Sequence, residues 1–276
     1  MDHSEGSFPG HGGLELYYQR WRPEGRPCAA LAVVHGFGEH SGRYGNVVDW
    51  FVPRGFAVYA FDLRGHGHSP GQRGHVDSFA EYRGDVRAFL DLVGREEPSR
   101  PLFLLGHSQG GLIVLNYVLH DPAGLAGVVS CSPAIGKLGI SPMLLVVARV
   151  LSRVWPRFSL EAGLDVNALS RDPAVVQAYV NDPLVHGKAS ARLGTEISAA
   201  IDWTQAHAAD MALPSLIIHG CSDHLCMSDA SQAFYERITF ADKERYEYEG
   251  HYHELFNDLD KEIVLADVEA WLQARL

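Results

Sequence analysis

The stretch PLFLLGHSQGGLIVLNYVLH, residues 101–120, decides how this chain folds. Residues 102–105 are a short apolar run that reads as a buried strand, and residues 112–120 continue as a helix. Between them lies Gly106-His107-Ser108-Gln109-Gly110, with Gly111 behind it. A strand that turns sharply into a helix brings the two backbones together, so side chains at the positions flanking the turn would collide. Glycine at 106 and 110 avoids that collision. Ser108 then sits at the tip in a strained conformation, its hydroxyl exposed at a helix N-terminus whose dipole favours developing negative charge. A serine presented in this way is a candidate nucleophile for acyl transfer.

Outward from this turn the chain alternates. Short apolar runs at 29–34, 56–61, 102–105, 127–131, 215–219 and 245–248 end in Gly, Asp or Ser and read as strands. Residues 78–93 place Phe79, Tyr82, Val86, Phe89, Leu90 and Val93 at helical spacing, and 263–276 is amphipathic. Strands alternating with helices predict an α/β fold, a mostly parallel central sheet flanked by helices on both faces. Residues 14–21 read as an earlier antiparallel edge strand. Between about 132 and 213 the rhythm breaks into helical segments punctuated by Pro142, Pro156, Asp172-Pro173 and Asp182-Pro183. The expected organisation is a core of residues 1–132 and 213–276 with a helical cap, or lid, at 133–212.

A serine hydroxyl is a poor nucleophile until a base takes its proton, and the base needs an orienting acid. For a nucleophile on a strand-to-helix turn, the acid and then the histidine follow later in the chain. The strand at 215–219 runs into Gly220-Cys221-Ser222-Asp223, which puts Asp223 in a post-strand loop. Asp229, at a helix start, is a weaker alternative. The strand at 245–248 runs into Glu249-Gly250-His251-Tyr252-His253-Glu254, and spacing alone does not separate His251 from His253. An oxyanion hole needs two backbone N–H donors. One is expected at Gln109, the other at Phe37 in the loop His35-Gly36-Phe37-Gly38 that follows the strand at 29–34.

The chain has 276 residues, is 46% hydrophobic and carries a formal charge of −11, which disfavours nucleic acid as a partner. The beginning, MDHSEGSFPG, has no basic and apolar leader, and no apolar run approaches the ~18–20 residues of a membrane span, so a cytoplasmic protein is expected. Cys28, Cys131, Cys221 and Cys226 are too few and too irregular for a disulfide scaffold, and Cys221/Cys226 match no zinc spacing. One segment departs from the acidic average. Residues 143–155 are helical in pattern, with Leu144, Leu145 and other apolar residues beside a stripe of Arg149, Arg153 and, beyond it, Arg157. Such a helix roofs an acyl pocket, packs on the core, or touches a lipid surface transiently, which would make the protein peripheral to a membrane.

Six stretches carry a resemblance over nearly the whole chain: HGFGEHSGRY (35–44), FDLRGHGHSPG (61–71), GHSQGG (106–111), LSRDPAVVQAYVNDPLVHGKASARLG (169–194), HGCSDHLC (219–226) and YEGHYHELFND (248–258). They are similar to the α/β-hydrolase fold and, within it, to the monoacylglycerol lipase and lysophospholipase-like group. The resemblance implies Ser108 as nucleophile, Asp223 as acid and His253 as base, because the group's Gly-x-Tyr-His pattern selects His253 over His251. It implies backbone donors at Phe37 and Gln109, although monoacylglycerol lipases often carry Met where Gln109 stands. It implies an alcohol end of the site near Glu39 and Arg43, which either bind glycerol hydroxyls or pair with each other. The loop with His66 and His68, joined by His75, is implied to be structural and not a metal site. The expected reaction is hydrolysis of a monoacylglycerol, a small lipid ester, without metal or organic cofactor. Lysophospholipase or broad carboxylesterase activity is the alternative. A non-catalytic hydrolase-fold binding protein is disfavoured by the presence of all three triad residues.

Overall fold

The computed structural model describes residues 1–136 and 142–276, with side chains in the second stretch described from residue 146 onward. The expected roof residues Leu144 and Leu145 therefore lie outside the described side chains. The apolar runs pair side by side into one sheet. Its strands are β1 (Asp2–Pro9), β2 (Glu15–Arg22), β3 (Ala29–Val34), β4 (Phe56–Phe61), β5 (Leu102–His107) and β6 (Gly127–Cys131). A two-stranded antiparallel pair, β7 (Ser159–Glu161) and β8 (Lys188–Ser190), stands apart, and β9 (Ser215–Gly220) and β10 (Lys243–Tyr248) complete the main sheet. Among the described residues its order is β1-β2-β4-β3-β5-β6-β9-β10. From β4 to β10 the neighbours run parallel, whereas β2 is antiparallel to β1 and β4.

Alternation along the strands divides the core. In β3, Ala30, Ala32 and Val34 face α2 (Phe79–Glu96), α3 (Gln109–His120) and α6 (Ala191–Ala206), while Leu31 and Val33 face α1 (Gly45–Phe51) and α8 (Lys261–Gln273). Successive strand side chains point to opposite faces, so a strand covered by helices on both sides must be apolar throughout. This is why β3, β4 and β5 are buried along their whole length. The N-terminal β1 escapes sequence reading because only Phe8 of its eight residues is buried, which leaves a polar edge strand with no apolar period. The helix α3 begins at Gln109, earlier than expected, because tertiary packing overrides the low helix propensity of Gly110 and Gly111.

Between β6 and β9 lie α4 (Pro142–Val154), β7, α5 (Pro173–Asn181), β8 and α6. Polar contacts tie this segment to the loops at the carboxyl ends of the strands. The His186 N–H donates to the Gly38 carbonyl at 2.9 Å, the Ser190 N–H donates to Gly74 at 2.8 Å, and His40 Nε2 lies 2.8 Å from Asp182 Oδ2. Beside these bonds His66 and His186 pack at 4.6 Å between ring centres, and both lie edge-on to Phe37. His66 is fully buried. Its Nδ1 donates to the Arg64 carbonyl at 3.0 Å, and its Nε2 has no partner among the described residues.

Burial, with the neighbouring imidazoles of His35 and His186 opposing a second positive charge, holds His66 well below the ordinary imidazole range, and burial with the Arg73 charge pushes His186 down to about 4. An imidazole with a depressed folded pKa binds fewer protons folded than unfolded. Its contribution to stability is complete above about pH 6.5 and is lost as the pH falls below that value. Urea unfolding should therefore show a lower midpoint at pH 5 than at pH 7.5. His66→Phe should flatten the dependence by up to about 1.4 kcal/mol per pH unit. An unchanged slope would refute this account of the seam.

Candidate active site

Ser108 sits between β5 and α3 with φ 55° and ψ −117°, inside the left-handed range that non-glycine residues avoid. The surroundings enforce it. A Cβ on Gly110 would stand 2.1 Å from the Val34 carbonyl oxygen, and one on Gly106 would stand 2.3 Å from the Gly110 carbonyl oxygen. The strained residue is braced by backbone bonds. Its N–H donates to the Cys131 carbonyl at 2.9 Å, and its own carbonyl accepts from Leu112 at 3.1 Å and Ala134 at 3.0 Å.

The loops after β9 and β10 bring Asp223 and His253 together. His253 Nδ1 lies 2.8 Å from Asp223 Oδ2, and both side chains are buried. A carboxylate only accepts, so Nδ1 carries a proton, and in the neutral ring that leaves the lone pair on Nε2. His253 lines a pocket shared with Ser108, Gly36, Phe37 and Glu39. The other Asp223 oxygen, Oδ1, accepts the Leu225 and Cys226 N–H groups at 2.8 and 2.9 Å. Burial alone would raise the Asp223 pKa. Hydrogen bonds from His219 and His253 more than reverse this and hold the carboxyl below its usual range. His251 turns away, with Nδ1 3.1 Å from the Glu249 carbonyl, and Asp229 is exposed in the first turn of α7 (Ser228–Arg237).

His35 holds the loop that carries Phe37. Its Nδ1 donates to the Gly36 carbonyl at 2.7 Å and its Nε2 accepts the Leu63 N–H at 2.9 Å, the pattern of a single neutral tautomer. Among the described residues the backbone N–H groups of Phe37 and Gln109 have no acceptor. His107 packs on the His253 ring at 4.7 Å between centres. Burial and the His253 charge push His107 down to about 3, so a neutral ring faces the imidazole. The Cys226 thiol lies beside Ser108, and burial with the Asp223 charge pushes its pKa up, so it stays protonated.

Glu39 and Arg43 do pair with each other, and a third residue joins them. Arg43 bonds Glu254 through both Nη atoms, at 2.6 and 2.7 Å, and reaches Glu39 at 2.9 Å. Glu39 Oε1 in turn accepts the Gly36 N–H at 2.7 Å and the Tyr44 hydroxyl at 3.0 Å. Burial works against the Arg43 charge, but Glu254 and Glu39 more than compensate and keep it cationic. Glu39 and Glu254 line the same pocket as Ser108. Glu254 went unassigned in the sequence. The one signal was a charged residue between His253 and the apolar Leu255-Phe256, in a place that folds inward. Among the described residues no group of three or more His, Cys, Asp or Glu side chains is arranged for a metal ion, and the four cysteines are unpaired.

The Hydrolase_4 family model, described as serine aminopeptidase, S33, matches residues 25–260. A monoacylglycerol lipase from Mycolicibacterium smegmatis is 38% identical over 99% of this chain and 98% of its own. The crystal structure of the Paleococcus ferrophilus monoacylglycerol lipase superposes with a TM-score of 0.87 at 36% identity, covering 95% of this chain and all of that one. A soluble variant of the Saccharomyces cerevisiae monoglyceride lipase, in complex with a substrate analog, gives 0.87 at 25% identity over 97% of this chain and 94% of that one. With the strained serine, the carboxylate-bound histidine and the mostly parallel sheet in place, these matches show that the chain belongs to the Hydrolase_4 family of α/β-hydrolases, the family it shares with the monoacylglycerol lipases.

Proposed function

We propose that this chain is a carboxylic ester hydrolase that cleaves monoacylglycerols to fatty acid and glycerol through an acyl-enzyme on Ser108. The observation that carries this reading is the 2.8 Å contact of His253 Nδ1 with Asp223 Oδ2, beside a serine held at φ 55° in the same pocket. His253 Nε2 takes the Ser108 proton as Oγ attacks the ester carbonyl. The Phe37 and Gln109 N–H groups donate to the oxyanion, and His253 returns the proton to the departing glycerol oxygen. Water then repeats the sequence on the acyl-enzyme and releases the acid. Asp223 stays ionised throughout and stabilises the imidazolium. The similarity to three monoacylglycerol lipases supports the substrate class. The buried carboxylates of Glu39 and Glu254, which line the pocket beside Ser108 and are held by Arg43 behind them, suit a hydroxyl-rich leaving group.

The cap, residues 133–212 in this reading, delivers the acyl chain. Val146, Val150, Val154 and Trp155 of α4 and the residue after it are more than half exposed, with exposed Arg149, Arg153 and Arg157 alongside. An apolar strip with a cationic edge on a chain of formal charge −11 fits a brief landing on an anionic lipid surface. Among the described residues no helix is long and apolar enough to cross a membrane.

Ser108→Ala should abolish turnover of nitrophenyl esters and labelling by a fluorophosphonate probe, with an unchanged circular dichroism spectrum. Asp223→Asn should lower kcat by about 10⁴-fold, because the imidazole is left in the wrong tautomer. Retained activity in either variant defeats the triad. A hydrolysis panel of monoacylglycerol against lysophosphatidylcholine reads the leaving group, and preference for the phospholipid would replace glycerol in the reaction above.

Arg43→Met leaves two carboxylates buried beside each other without a cation. The expected loss is about 3–5 kcal/mol in urea unfolding, and a loss below 1 kcal/mol would show that the network is not a structural support. Val150→Asp/Val154→Asp should reduce flotation with anionic liposomes while leaving turnover of a soluble short-chain ester intact. Equal flotation of variant and parent would count against the landing surface.

A further inference from the structure

Asp223 is shared by two imidazoles. His219 Nε2 lies 3.2 Å from Asp223 Oδ2, the same oxygen that His253 Nδ1 approaches at 2.8 Å. His219 is the penultimate residue of β9, fully buried, and has no step in the reaction above. Its Nε2 faces a second acceptor as well, the Cys226 carbonyl at 2.6 Å. A ring nitrogen pointed at two acceptors carries a proton, because a lone pair there would be repelled by both. On the far side Nδ1 lies 2.9 Å from Ser231 Oγ, which is itself 2.8 Å from the Ser228 carbonyl, so the ring is held from both ends. The charged groups around it are Asp223 on the following turn, Glu247 opposite in β10, and Arg245, which pairs with Glu247 at 2.8 Å. His253 lies across Asp223.

We propose that His219 is a positioning residue of the triad, holding its Nε2–H against Asp223 Oδ2 and thereby setting how much negative charge the carboxylate presents to His253. The role rests on the reading of Ser108, His253 and Asp223 as one catalytic unit. Oδ1 is already filled by two backbone N–H groups, so the charge left for His253 is on Oδ2. Two N–H donors on one oxygen divide that charge. The imidazolium that forms on His253 during attack is then stabilised less than it would be by Asp223 alone, and the site remains deprotonated and active to lower pH. The bond to the Cys226 carbonyl also fixes the turn whose N–H groups orient Asp223. Sequence reading placed His219 as an ordinary strand residue, because nothing in HGCSD shows that the chain folds back within four residues onto the histidine that begins it.

The test is the pH profile of kcat/KM for a soluble nitrophenyl ester, with the full chain, in wild type, His219→Leu and His219→Gln. The acid limb should move to higher pH by about half to one unit in His219→Leu, and should return to near the wild-type position in His219→Gln, whose amide keeps an N–H donor. A purely structural role lowers stability or kcat without moving the limb. An active His219→Leu variant with an unmoved limb overturns the proposal. Imidazole NMR of ¹⁵N-histidine-labelled wild type gives a reading that needs no variant. Protons on both His253 Nδ1 and His219 Nε2 in hydrogen bonds to Asp223 are expected, and an unprotonated His219 Nε2 overturns the proposal even if the leucine variant fails to fold. A wild type that neither turns over ester nor is labelled at Ser108 would instead defeat the catalytic reading, while the NMR result still decides the His219–Asp223 bond.

Discussion

The backbone of α3 approaches β3 so closely that a single methyl group on residue 110 would stand 2.1 Å from the Val34 carbonyl oxygen. That approach forces the chain to reverse within one residue, and Ser108 absorbs the reversal at φ 55°. Strain of this kind costs about 1–3 kcal/mol and persists only where the surroundings over-determine it. Here the Cys131 carbonyl and the Leu112 and Ala134 N–H groups do so, which makes β6 and the loop behind it part of what holds the serine in place. The same reversal brings the N–H of Gln109, without an acceptor among the described residues, to the start of α3 beside the serine. The strained serine and the N–H beside it are thus consequences of a single packing constraint, and the proposed nucleophile and one proposed oxyanion donor coincide with them.

The sheet order explains why the remaining groups converge there. The chain moves from β3 outward to β4, then crosses back to β5 on the other side of β3. Loops at the carboxyl ends of β3 and β5 diverge at this switch, and the crevice between them is where open α/β sheets bind ligands. The Phe37 loop comes from β3, Ser108 from β5, Asp223 from β9 and His253 from β10. The segment between β6 and β9 covers this edge of the sheet and is fastened to it through His186, Ser190 and Asp182.

Charge buried in the site is compensated locally. Asp223 takes two backbone N–H groups and faces two imidazoles, and Arg43 stands between Glu39 and Glu254. The two clusters adjoin through His253 and Glu254, neighbours in sequence whose side chains turn to different partners. Glu39 links the second cluster to the Phe37 loop by accepting the Gly36 N–H. A substitution in the Arg43 cluster therefore reaches that loop through one hydrogen bond. The neutral ring of His107, packed on His253, adds no charge there that needs compensation.

The sequence by itself determined the alternation of strands and helices, the serine turn and the positions of Asp223 and the histidine pair. These depend on local spacing, on glycine where two backbones must touch, and on strand ends that can be counted along the chain. Between residues 132 and 213 the sequence reads as helical, and the β7–β8 pair that lies there escaped it because strands of three residues are too short to carry an alternating pattern. Local spacing left His251 and His253 equivalent. Only the fold distinguishes them geometrically, by aiming one ring at Asp223 and the other at the Glu249 carbonyl. The edge strand β1 stayed hidden because its pairing with β2 uses backbone groups that every residue carries. Glu254, and the second imidazole on Asp223 from His219, were decided by tertiary structure alone. Each depends on which residues meet after the chain returns on itself, and a carboxylate or an imidazole takes its role from the partner it meets.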